Sequence, residues 1–242
     1  MSSQGNGTGE IESRPSPEPM FPGANAGGRR EFVLLLDAIR QLVLATRLHY
    51  RRIQEAAIYH GRLSDEPETQ GAEFDEIQRA KTETHVAIVA DVGALIGTIH
   101  RLRSLVKRLP GGKETRLAKR AFVAEVKDLE EARHQLEHLD TAIAQISGTG
   151  EGAFGAVSWW ERLGDGHGRW VAFFPGTMAE GAQAVSRRPS VMRSRVDHVW
   201  ASIAGRNLNV SEAYLAVVRL EERLREWGMS QDEGGWPCLA AE

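Results

Sequence analysis

Cysteine is almost missing from this chain: 242 residues contain one, Cys238. A single thiol excludes an intrachain disulfide and a cysteine-built zinc site, and it fits a reducing compartment. A dominant charge is missing too. The 30 Lys and Arg against 33 Asp and Glu leave a formal net charge of −3. No global positive field therefore draws the chain to nucleic acid or anionic lipid, and any RNA contact has to come from a local basic patch. The most apolar stretch, residues 86–99, falls short of the roughly 20 residues a bilayer requires and carries Asp91, so it reads as a buried helix face and no membrane partner is expected. The N-terminus has no basic region followed by an apolar core, so no secretory signal is expected and the cytoplasm is the expected location. Neither a G-x-S-x-G elbow nor a P-loop occurs.

What is present describes a helical protein. Hydrophobic residues make up 41% of the chain, enough for a real core, and 26% are charged. Residues 1–28 are rich in Gly, Ser, Pro and Glu with almost no large apolar side chain, the composition of a disordered tail. From Arg29, apolar residues recur at three- and four-residue steps (Phe32, Leu35, Leu36, Ile39, Val43, Ile53, Ala57), which predicts a helix ending near Tyr59 and a loop over 61–71. A second helix is expected from between Glu73 and Glu83 to Leu109, on a seam of Ile88, Val92, Leu95, Ile96, Ile99, Leu102 and Val106, stopped by Pro110-Gly111-Gly112. A third is expected over about 114–146, on Phe122, Val126, Leu129, Ala132, Leu136, Leu139, Ile143 and Ile146, ended by the glycines at 148, 150 and 152.

The pattern then changes. Residues 154–162 and 169–174, rich in Trp, Val and Phe, flank a Gly-x-Gly-x-Gly segment at 164–168 and read as a β-hairpin. Residues 195–204 alternate and predict a third strand, and Asn209 or Ser211 with Glu212 opens a last helix to about Trp227. All six tryptophans fall in this half, and the five at 159, 160, 170, 200 and 227 are expected to pack the sheet on the helices. The expected fold class is mainly α with a small β appendage (α+β). It is an antiparallel helical bundle of three to four long helices with a short antiparallel sheet inserted before the last one. The expected organisation is a tail over 1–28, the bundle over 29–147, and the sheet with its helix over 148–242.

The residues closest to chemistry are Arg133-His134-Gln135-Leu136-Glu137-His138, inside the third predicted helix. Arginine keeps its charge and binds phosphate oxygens through a planar fork, and histidine moves protons near neutral pH. This Arg-x4-His pattern, with a polar His134 directly after the arginine and the context KDLEEARHQLEHLD over 127–140, resembles the metal-independent ribonucleases of the HEPN superfamily. The resemblance covers the three long helices, and its motif is short. It implies an endoribonuclease, plausible as the effector of a toxin–antitoxin or anti-phage defence system, with an RNA substrate, no cofactor and no metal. A homodimer and a cognate inhibitor or partner protein are implied as well. His138 would be the acid–base residue, Arg133 the phosphate clamp, and His134 a supporting polar group. The tyrosine that some relatives carry two residues after the histidine is Asp140 here.

Geometry opposes a simple version of this. In one continuous helix, residues 133 and 138 lie roughly 140° apart, so both side chains need to border one groove. The same residues also make an ordinary surface pattern, with Arg133 four residues before Glu137. A non-catalytic helical module for protein–protein interaction is the alternative. Glu131-x-x-His134 has di-iron ligand spacing but lacks a matching second copy. Arg101, Arg103, Lys107, Arg108, Lys113 and Arg116 form a local basic cluster, read either as an RNA-backbone contact or as a solvated helix face; Lys119 and Arg120 extend it. Arg187, Arg188, Arg193 and Arg195 form another, open to the same two readings.

Overall fold

A computed structural model of the chain describes residues 26–65, 72–110, 113–138, 155–163, 167–174, 184–187, 189–203 and 206–229. Residues 1–25 of the tail expected over 1–28, the predicted helix end after 138 and the tip of the hairpin lie outside them; residues 26–28 of that tail instead open the first helix. The protein is mostly helical, with five helices among the described residues and a four-stranded antiparallel sheet before the last of them.

The two longest helices are α1 (Ala26–Asp65) and α2 (Ala72–Arg108). They run antiparallel, since Arg108 pairs with Glu31, His49 with Asp91, and His85 with His60. Ile39, Ile53, Ile88, Leu95, Ile96, Ile99 and Leu102 are buried where they meet, each such side chain contributing roughly 1.5–3 kcal/mol. α1 continues six residues past the predicted stop at Tyr59, through the segment read as a loop. Gly61 fits there because a Cβ would come within 2.5 Å of Arg169 and Glu161 on the sheet. α2 is the one helix among the described residues long and apolar enough to cross a membrane. Length therefore does not set residues 86–99 apart from a span, contrary to the sequence reading. Of their apolar side chains Ile88, Val92, Leu95, Ile96 and Ile99 are buried in the core, whereas Val86 is exposed.

The third predicted helix is broken. Its place is taken by α3 (Lys113–Glu125), a turn at 126–128, and α4 (Leu129–Glu137). Around the turn Lys127, Leu129 and Glu130 donate to carbonyls three residues back, which overwinds the backbone. Phe122, Val126, Leu129 and Ala132 all stay buried through the change of direction. The break lets the segment serve two neighbours, because α3 packs on the last helix and α4 on α2.

The sheet is β1 (Ala156–Arg162), β2 (Gly168–Phe173), β3 (Val196–Ile203) and β4 (Arg206–Asn209), in the order β2-β1-β3-β4. The hairpin and third strand fall where the pattern predicts; β4, four residues long, was not anticipated. β3 carries a bulge: Ser158 pairs with Trp200 but Trp160 with Asp197, and His198 has φ 51°. The extra residue resets the alternation, so Val196 and Val199 are both buried. At the start of β1, Gly155 has φ +60°, and a Cβ there would sit 1.7 Å from the Ser202 carbonyl oxygen. Asn209 caps the last helix, α5 (Val210–Met229), its Oδ1 accepting from the Glu212 N–H at 3.0 Å. One buried apolar cluster runs from α1 and α2 through the sheet to α5. Trp159, 1% exposed, is the tryptophan that joins the sheet to that core, whereas Trp170 is exposed.

Candidate functional site

Helix α4 opens on Glu130 and Glu131, which favour the positive end of the helix dipole. Ala132 is buried against α2, and the outer surface carries two adjacent rows. In one, Arg133 Nε and Nη2 donate to Glu137 Oε1 at 2.8 and 2.7 Å. In the other, the His134 and His138 rings lie 4.6 Å apart.

His138 is not in the helix. It is the C-cap residue, with φ −116° and ψ 39°, and its N–H donates to the His134 carbonyl at 3.0 Å. That bond is the four-residue step of an α-helix, so His138 stays beside His134 at the helix end, as residues four apart do. Both imidazoles are on exposed residues, and the Arg133 side chain is 34% exposed. The four side chains form one outward-facing patch.

A third imidazole approaches from α2. His100 is half-buried, and its Nδ1 has no hydrogen-bond partner among the described residues. Burial first, then the nearby charge of Arg133, pushes its pKa below the ordinary value. Arg103 on α2 donates to Glu130 at 2.7 Å and holds the start of α4 against α2.

The basic cluster is partly consumed by the fold. Arg103 is paired with Glu130, Arg108 with Glu31, and Lys119 donates to the Leu109 carbonyl. Arg101, Lys107, Lys113 and Arg116 are on exposed residues of α2 and α3. In the loop before β3, Arg193 pairs with Glu212, Arg195 with Glu161, and Arg187 lies over the Trp200 ring. Arg188 lies outside the described residues. The described members of that second patch thus have intramolecular partners. No group of three or more potential metal ligands occurs among the described residues, so Glu131 and His134 have no facing ligand set there.

The sequence reading missed the most buried charge. Glu161 has a side chain 0% exposed, held by Arg169 through Oε2 and by Arg195 through Oε1. Arg169 also reaches Asp65 at the end of α1. A signal was present: in the strand AVSWWER, alternation places Glu161 on the face of the buried Val157 and Trp159. Beside this cluster, His60 and His85 pack between Trp159 and Phe173, with the His85 ring stacked 4.0 Å from Phe173.

Close approach at Gly61 gives a direct test of this packing. Gly→Ala inside a helix ordinarily gains about 1 kcal/mol. Gly61→Ala is expected to lose roughly 1–3 kcal/mol instead, because the methyl group meets two side chains locked in an ion pair. Urea unfolding followed by circular dichroism would read the sign.

Compared with protein-family models, curated proteins and solved structures, the chain matches none.

Proposed function

We propose that the chain is a HEPN-like, metal-independent endoribonuclease working in the cytoplasm as a homodimer, the effector of a toxin–antitoxin or anti-phage system held in check by a cognate partner. The observation that carries this reading is the exposed end of α4, where the His134 and His138 rings lie 4.6 Å apart on the same turns as the Arg133–Glu137 pair. Cleavage of RNA without metal needs proton transfer from a ribose 2′-hydroxyl and a cation at the phosphorus. His138 is assigned the proton transfer, with His134 supporting its ring. Arg133 is assigned the phosphate.

The Arg133–Glu137 pair is compatible with that role on energetic grounds. An exposed pair four residues apart on a helix is worth about 0.3–0.5 kcal/mol, so exchanging the carboxylate for a phosphate costs little. Arg101, Lys107, Lys113 and Arg116 supply basic charge on α2 and α3 for the RNA backbone.

Incubation of the purified protein with total RNA and a chelator tests the proposal. Wild type is expected to cleave, and His138→Ala and Arg133→Ala to lose about 100-fold or more. Glu137→Gln is expected to keep activity, since it frees the guanidinium. Cleavage abolished by the chelator, or retained by both alanine variants, would sink the assignment. The second reading, a non-catalytic module that binds another protein, is favoured by the exposed Val33 and Leu34 on α1 and Val86 on α2. It predicts no cleavage by any form.

A further inference from the structure

Four carboxylates are buried among the described residues: Asp91, Glu161, Asp197 and Glu221. Three have basic partners. Asp91 meets His49 and Arg52, Glu161 meets Arg169 and Arg195, and Glu221 meets Arg47 and Arg225. Asp197, 2% exposed, has no basic side chain within 4.0 Å among the described residues. Among the described residues its two oxygens accept from backbone N–H groups only, from His198 at 2.7 Å and Arg193 at 2.8 Å. The charge of Arg193 is felt at Asp197, but its guanidinium pairs with Glu212, and a buried carboxylate without a direct ion-pair partner is costly.

That carboxylate lines a cavity of about 190 Å³ between α1, β3 and α5. Tyr50 and Tyr214 form part of the wall, their rings stacked 4.0 Å apart. The donors around it are already used. Gln54 donates to Ser194 and to the Val196 carbonyl, the Tyr50 hydroxyl is bonded to Ser211, and the Arg193 guanidinium turns away to Glu212 at 2.6 Å. Each Asp197 oxygen keeps a second lone pair. The chamber therefore combines unused acceptor capacity, one negative charge and aromatic surface. This is the chemistry that recognises organic cations, whose charge is attracted by both a carboxylate and the faces of aromatic rings. A cavity of about 150 Å³ accommodates benzene, so a small ammonium ion fits this one.

We propose that the pocket of Asp197, Tyr50 and Tyr214 binds a small organic ammonium ion, primary or methylated, whose charge pairs with Asp197 and whose carbon atoms lie against the tyrosine rings. It shares no residue with the α4 patch, so it stands or falls independently of the nuclease reading. Arg193 at the mouth, 45% exposed, is a like charge that weakens the ligand's attraction. Its backbone N–H, not its side chain, holds Asp197.

Titration calorimetry with choline and butylammonium, against their uncharged counterparts 3,3-dimethylbutanol and pentanol, tests this on the full chain. At least one ammonium probe is expected to bind about tenfold or more tightly than its uncharged counterpart. Arg193→Ala is expected to tighten that probe several-fold without affecting the alcohol. Leu215→Trp, which fills the cavity, is expected to abolish binding while circular dichroism stays that of wild type. Asp197→Asn should weaken the ammonium probe alone. Equal affinity for charged and uncharged probes, or no ammonium binding at about 10 mM, a concentration that would detect even millimolar affinity, would overturn the proposal. So would unchanged binding in both Arg193→Ala and a folded Leu215→Trp variant.

Discussion

Replacing Arg169 with leucine is expected to cost roughly 3–5 kcal/mol, the scale for removing one partner of a buried ion pair. The reason lies in what remains. Glu161 Oε2 accepts from Arg169 Nε at 2.9 Å and Nη2 at 2.7 Å on a side chain with no exposure. Without Arg169 that oxygen is a buried acceptor with no donor, and the tie from β2 to Asp65 on α1 is lost as well. Arg195 reaches the other oxygen at 3.0 and 3.3 Å from a side chain 49% exposed. Arg195→Leu is expected to cost less, about 1–2 kcal/mol, because water can take its place on that side. The double variant Arg169→Leu/Glu161→Leu should recover a large part of the loss, since it removes the stranded charge along with the cation. Urea unfolding of wild type, the single variants Arg169→Leu, Arg195→Leu and Glu161→Leu, and the double variant measures each term. Equal costs for the two arginine variants, or a double variant as unstable as the sum of its parts, would contradict the account.

Acid is expected to weaken the fold through His60. Burial, followed by the charges of His85, Lys81 and Arg169, lowers its pKa from 6.5 to about 4. The pKa of His85 is lowered as well, by burial and Lys81. Because the folded-state value is depressed, the unfolded chain binds the extra proton between pH 6.5 and 4. The stability that comes from keeping the ring neutral is complete above pH 6.5 and is lost as pH falls towards 4. At about 1.4 kcal/mol per unit, His60 accounts for roughly 3 kcal/mol across that window. His60→Phe keeps an aromatic ring between His85 and Trp159 and removes the titration. The unfolding free energy of wild type should therefore fall more steeply from pH 7 to pH 4.5 than that of the variant. Parallel pH profiles would show that the imidazole contributes nothing.

Much of the architecture was legible from the sequence because it follows from local periodicity. The α2 seam repeats at three- and four-residue steps, the hairpin is bracketed by glycines, and the Asn209 cap sits one residue before α5. The break at 126–128 was not legible. The apolar spacing through Phe122, Val126, Leu129 and Ala132 suits a continuous helix as well as a kinked one, and the kink is chosen by where α2 and α5 stand. His134 and His138 were legible as a pair, because residues four apart on a helix are neighbours, and their rings lie 4.6 Å apart.

By itself, the sequence determined the class of the protein: helices from the 3.6-residue period, a small sheet from alternation between glycines, and a short list of side chains suited to proton transfer or phosphate. Tertiary structure decided what those side chains can do. Asp65 and Arg169 are 104 residues apart in the chain, and Tyr50 and Ser211 are 161 apart. No local pattern encodes such pairings, because they arise when separate elements bury a common core and their polar groups must find partners at the seams. Which arginine is bound to a carboxylate, and which buried carboxylate among the described residues is left without an ion-pair partner, is settled only there.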